Sequence, residues 1–223
     1  MIRCEGVSFS YGADAPVLND LDLDMGPGLT LLLGPNGCGK TTLIRLAAGV
    51  EMPDEGRIFI GGLDLWKEEI AARSRLAYYP EYPDLTPYAT IGEILDLVCR
   101  LRREPREAGV DALRETGLSH LKDRTVREVS NGQRRRALFA ACLIGRPEVV
   151  IFDEPLEGMD QGMRRRILSW LKERRDDGSA ILLAGHEIRP FLPFADRAVV
   201  LKEGRAQCLA NLPREEDDEG GRG

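Results

Sequence analysis

The chain has 223 residues, 43% of them apolar and 30% charged, with a formal net charge of −6. This balance excludes a disordered or membrane-integral chain, and the acidic total disfavours a general nucleic-acid binder. No run reaches the roughly eighteen apolar residues that a spanning helix needs. The start, Met1-Ile2-Arg3-Cys4-Glu5, lacks the basic-then-apolar pattern of a secretory signal, so a cytoplasmic protein is expected. The five cysteines, Cys4, Cys38, Cys99, Cys142 and Cys208, are odd in number and form no CxxC pair, which suggests neither a disulfide framework nor a zinc site.

From the amino terminus, Ile2 to Tyr11 alternates loosely and stops at Gly12, predicting a strand. Leu29 to Leu33 is a short apolar strand; a glycine-rich turn follows, then Lys40 to Ala48 with apolar residues at helical spacing. Gly56 to Ile60, closed by Gly61-Gly62, and Arg75 to Tyr79, closed by Pro80, are read as further strands. Pro83 to Val129 changes character. Ile91, Ile94, Leu95, Val98 and Leu101 follow the spacing of an amphipathic helix, and a weaker helix covers Val110 to Thr116. Beyond it come a helix from Gly132 to about Ile144, a buried strand Val149 to Phe152, a helix Gly162 to Lys172 and a strand Ala180 to Ala184. In that last helix Arg164, Arg165 and Arg166 form the exposed face, opposite Met163, Ile167, Trp170 and Leu171. Alternating strands and helices predict an α/β fold with a mostly parallel sheet flanked by helices, whose ligands bind at the carboxyl ends of the strands.

Two motifs fall at such ends. Gly34-Pro35-Asn36-Gly37-Cys38-Gly39-Lys40-Thr41 fits G-x-x-x-x-G-K-[ST] between a predicted strand and a predicted helix. Its glycines let backbone N–H groups curl around phosphate oxygens, the helix start adds positive charge, Lys40 reaches the terminal phosphates, and the Thr41 hydroxyl is a magnesium ligand. Thr42 follows in the first helical turn. The second motif is Asp153-Glu154, ending the apolar strand that begins at Val149. Strand geometry sends these carboxylates to opposite sides, one towards the metal and one towards an attacking water, as phosphoryl transfer to water requires.

With these residues in order, the chain resembles the ABC ATPase family over nearly its whole length. Ser130-Asn131-Gly132-Gln133, followed by Arg134, Arg135 and Arg136, is similar to the family's signature sequence, with Asn131 in place of its usual first glycine. The resemblance implies a P-loop core over 1–82 and 130–212 with an N-terminal antiparallel β portion, an inserted helical subdomain over 83–129, and an acidic tail over 213–223. It implies ATP and Mg2+ as ligands. It also implies a homodimer or heterodimer in which Ser130, Gly132 and Gln133 close over the nucleotide of the opposite subunit. By the same resemblance Tyr11 stacks on adenine, against the simpler role of a turn tyrosine. Glu81 stands where the family has a metal-touching glutamine. Asp160 links the two sites across the dimer, or else caps the helix that follows. His186 senses the terminal phosphate beside the catalytic Glu154 and Lys40.

The function implied is that of an ATP-hydrolysing motor bound to the cytoplasmic face of a membrane, partnered by an integral membrane transporter subunit near the exposed aromatics of Tyr82 to Leu101, with no nucleic acid. Lack of an extension after the last strand leans the expectation towards export. A soluble ABC-type ATPase of ribosome or DNA, or a low-turnover nucleotide-binding regulator, are the alternatives.

Overall fold

The computed structural model describes residues 1–12, 16–83, 85–209 and 212; the expected acidic tail, 213–223, lies outside them. In chain order the first elements are β1 (Ile2–Phe9), β2 (Leu18–Met25), β3 (Gly28–Leu33), α1 (Lys40–Ala47), β4 (Glu55–Ile60) and β5 (Leu63–Asp64). They are followed by α2 (Glu69–Ser74), β6 (Leu76–Tyr79), α3 (Ile91–Arg102), α4 (Arg106–Glu115) and α5 (Asn131–Leu143). The last are β7 (Val149–Asp153), α6 (Gln161–Asp176), β8 (Ala180–Ala184), β9 (Arg197–Lys202) and β10 (Arg205–Leu209).

The strands form two sheets. One is antiparallel, in the order β2-β1-β4-β5, and the other runs β10-β9-β3-β8-β7-β6, parallel except for the β9–β10 hairpin. The larger sheet is covered on both faces, which explains its near-continuous apolar strands. In β7, Val149 and Ile151 face the core shared with α1 and the antiparallel sheet, whereas Val150 and Phe152 face α5 and α6. The same alternation splits Leu182 from Ile181 and Leu183 in β8. A third core, built from Ile91, Leu95, Cys99, Leu113, Ala137 and Ala140 among others, sits between α3, α4 and α5. Helix α5 therefore has no solvated stripe along most of its length. Leu138 and Phe139 belong to the sheet core, while Ala137 and Ala140 belong to the helical one.

Several elements lie outside the expectations drawn from the sequence. Strand β2 is legible in retrospect, because Leu21, Leu23 and Met25 turn inward while Asp22 and Asp24 turn out, at period two. Helix α2 buries only Ala72 and has too little periodic signal to be seen. The weak helix near Val110 begins earlier, at Arg106 behind Pro105, and the helix expected to stop at Lys172 continues to Asp176. Its inward face is formed by the expected Met163, Ile167, Trp170 and Leu171. Trp66 packs at the edge of the core beneath the Arg73 guanidinium, 5.8 Å from the ring centre.

Candidate nucleotide site

The register of the parallel strands brings the candidate groups together. Leu32 of β3 pairs with Ala184 of β8, and Ala184 pairs with Asp153 of β7. The segments that begin at Gly34, Gly185 and Glu154 therefore leave the sheet along one edge, where parallel α/β sheets bind ligands.

After β3 the chain turns through Gly34 (φ 149°), Gly37 (φ 76°) and Gly39 (φ 102°), a backbone path that disfavours any side chain. At Gly34 the constraint is also steric, since an added Cβ would press into the Leu201 carbonyl and lie 2.7 Å from Cys38 Sγ. Gly39 takes the N-cap position of α1 and supplies no capping side chain, so the amides of the first turn stay open to an anion. Lys40 Nζ folds back onto the loop, donating to the carbonyls of Gly34 at 2.8 Å and Pro35 at 3.0 Å. Thr42 is buried against the core, Thr41 is exposed, and Asn36 is exposed in the turn.

Asp153 continues the β7 alternation towards α1, where its carboxyl comes near the Thr41 hydroxyl. Burial pushes the Asp153 carboxyl up to about 6, against the pull of Thr41, with Glu81 and Glu154 adding like charge. Its Oδ2 is buried without a hydrogen-bond partner. A cation beside Asp153 and Thr41 would satisfy that oxygen and offset the charge, so these two residues fit magnesium. Glu154 turns the other way. It holds φ 49°, its N–H donates to the Ala184 carbonyl, and its Oε1 accepts the His186 N–H at 2.8 Å, with His186 Nε2 at 3.7 Å. Burial raises the Glu154 pKa, an effect that the His186 N–H opposes. The Glu154 side chain is 18% exposed and that of His186 is 73% exposed, so a held carboxylate stands beside a largely exposed imidazole. Both line a cleft of 280 Å³ together with Glu81, Glu157, Glu187 and Phe191. The last three were missed in the sequence. Glu157 and Glu187 each follow an expected site residue within three positions, but nothing local shows that they face one opening.

The remaining candidates divide. Tyr11 is 51% exposed and stands edge-on to Phe9, with ring centres 4.9 Å apart, available for stacking. The Phe9 carbonyl accepts the Val17 N–H, and Val17 packs at the Gly39 turn, which sets this strand end beside the phosphate loop. Ser130 caps α5 in a reciprocal box: its Oγ accepts from the Gln133 N–H at 3.3 Å and its own N–H donates to Gln133 Oε1 at 2.9 Å. Gly132 is unobstructed, with no atom within 4 Å of an added Cβ. Among the described residues no hydrogen bond joins Ser130, Gly132 or Gln133 to the Gly34–Thr41 loop, and they do not line the Glu154 cleft. Asp160 is the N-cap of α6, accepting from Gly162 and Met163 at 2.9 and 3.0 Å and pairing with Arg136. These contacts hold its carboxyl below the usual range, chiefly through the Met163 amide.

Known proteins share this fold. The ABC transporter family model matches residues 18–157. The chain is 35% identical to an Fe(3+) ions import ATP-binding protein of Photobacterium profundum, over 86% of this chain and 56% of that one. It is 37% identical to a spermidine/putrescine import ATP-binding protein of Marinobacter nauticus, over 89% and 54%. The chain thus spans a little over half the length of these curated relatives. A solved structure described as the ATP binding subunit of an ABC transporter superposes with a TM-score of 0.83 at 27% identity, covering 94% of this chain and 90% of the other. These named relatives are importers, so the lean towards export has no support among them. It rested on a segment not seen after the last strand, and such an absence has no bearing on direction. With the family model matching residues 18–157 and the fold superposing on a solved ATP binding subunit, the chain belongs to the ABC transporter family.

Proposed function

We propose that this chain hydrolyses ATP as the motor of a transporter, working on the cytoplasmic face of a membrane through a separate membrane subunit. The observation that carries the proposal is the convergence, at one sheet edge, of an uncapped helix start behind a glycine cradle with a buried Asp153 and a held Glu154. The amides of the Gly34–Thr42 turn would receive the phosphates, and Lys40 would exchange two carbonyls for the terminal phosphate oxygens. Tyr11 would cover the adenine. Thr41, Asp153 and Glu81 would hold magnesium, which when bound neutralises charge on the phosphates. Glu154 would accept the proton of the attacking water as its oxygen bonds to the terminal phosphorus and the bond to the leaving ADP oxygen breaks. Burial raises its basicity for that task, and the His186 N–H fixes one carboxylate oxygen. The His186 imidazole, exposed at the mouth, would meet the terminal phosphate.

Ser130, Gly132 and Gln133 lie at a helix start away from this cleft, with Gly132 unobstructed, which supports a nucleotide shared between two subunits, identical or not. Asp160 would act in this scheme by holding Arg136 and the start of α6 rather than by touching nucleotide. For the membrane partner, Tyr82 and Tyr88 are exposed at the start of the segment 83–129, proposed as the coupling subdomain, and no described helix is long and apolar enough to cross a membrane. The named relatives favour inward transport.

Phosphate release by the wild type and by Glu154→Gln tests the chemistry. The substitution should lower the rate by about a hundredfold or more while ATP affinity stays within about threefold. Equal rates would remove Glu154 from the mechanism and favour a nucleotide-binding regulator.

A further inference from the structure

Three successive arginines follow Gln133, and the structure gives them different partners. Arg134 donates to the Val126 carbonyl, Arg136 pairs with Asp160, and Arg135 is buried. Arg135 Nη2 donates to Glu157 Oε2 at 2.8 Å, while its Nη1 is enclosed without a hydrogen-bond partner. The buried Tyr79 hydroxyl lies close enough for the guanidinium charge to act on it. Glu157 belongs to the cleft wall, and its N–H donates to the Glu154 carbonyl at 3.2 Å. That bond closes the turn in which Glu154 holds its left-handed backbone, a conformation that a non-glycine residue keeps only when its surroundings impose it. A continuous path therefore runs from the Ser130 cap through α5 to Arg135, to Glu157, and to the residue that faces the water. A guanidinium buried against one half-exposed carboxylate adds little to stability by itself.

We propose that Arg135 is a positioning residue: through Glu157 it holds the turn that aims Glu154, and it ties that turn to the helix start at Ser130. The inference rests on Glu154 acting as the base. It assigns Arg135 a role in the chemical step, so turnover and substrate affinity should separate.

The test measures kcat and KM for ATP hydrolysis, with magnesium present, and amide hydrogen exchange in the purified full chain. Arg135→Gln should lower kcat by about tenfold with KM within about twofold, and Arg135→Lys, which keeps the charge but loses the fork, should recover part of it. The Glu157 amide should exchange faster in Arg135→Gln. Unchanged kcat, or a Glu157 amide exchanging as in the wild type, overturns the proposal. Should Arg135→Gln not fold, Glu157→Gln removes the same pair from its exposed end and carries the same expectations. A wild type without ATPase activity would reject the hydrolytic function, yet faster exchange in the variant would still uphold Arg135 as the support of the turn, and unchanged exchange would reject that too.

Discussion

At Gly34 the requirement for glycine is twofold, because its φ of 149° is one that other residues rarely adopt and a methyl group there has no room beside the Leu201 carbonyl. Gly34→Ala should therefore displace the phosphate loop from the end of β9 and lower ATP affinity by about tenfold or more, at a stability cost of about 1–3 kcal/mol. Titration with a fluorescent nucleotide and thermal unfolding would measure the two effects. Unaltered affinity would show that the loop does not depend on this contact. Gly37 is the comparison: φ is positive there too, but an added Cβ meets nothing within 4 Å, so Gly37→Ala should cost only the backbone strain of about 1–2 kcal/mol. The carboxylates show a similar division by environment. Asp153 and Glu154 are adjacent, yet one ends β7 in a buried niche beside Thr41 while the other, in a left-handed backbone just past the strand, turns into a cleft with His186.

Elements are joined by a few polar side chains that reach across the layers. Arg102, at the end of α3, donates to the carbonyls of Ala141 and Ile144 at the end of α5 and of Leu76 in β6, pinning the helical lobe to the sheet. Asp196, just before β9, accepts the Leu29 N–H at 2.7 Å from β3 and two Arg175 donors, at 2.8 and 2.5 Å, from α6. Asp196→Asn should lower unfolding free energy by about 1–3 kcal/mol near neutral pH, the usual worth of charged hydrogen bonds that are partly shielded. The sign with pH follows from the carboxyl, which Arg175 holds below its ordinary value of 3.8. The folded state binds that proton less readily than the unfolded one, so the contribution is complete above 3.8 and disappears as pH falls through the lowered pKa. Urea unfolding of both proteins from pH 7 towards pH 3 should show the difference shrinking. A constant difference would assign the loss to packing instead.

On the proposed reading, the whole molecule carries half of a nucleotide site on each of two surfaces. The phosphate loop and Glu154 lie at the sheet edge, whereas Ser130 and Gly132 open a separate helix start. Because nothing stands within 4 Å of an added Cβ at Gly132, Gly132→Leu should leave the isolated chain folded, with stability changed by no more than about 1 kcal/mol. It should nevertheless abolish an ATP-dependent dimer. Light scattering of Glu154→Gln with ATP should give twice the monomer mass, and the double variant with Gly132→Leu should give one. Full hydrolysis by Gly132→Leu would mean that a single chain completes its own site.

The sequence by itself determined the groups whose geometry is local. A glycine loop between strand and helix, or two carboxylates at a strand end, is a short-range consequence of backbone conformation and can be read from Gly34 to Thr41 and from Asp153 and Glu154. The helix spacings of Ile91 to Leu101 and of Met163 to Leu171 are local in the same sense, since one apolar face must find a core. Only the tertiary structure decided what depends on register and on packing between layers. It set Glu157, Glu187 and Phe191 around one cleft, showed Asp160 as a helix cap paired with Arg136, and distinguished Arg135 from its two arginine neighbours. In each case the partner lies outside the element that carries the residue, in a turn, loop or helix beyond it, and no spacing within a single element could reveal it.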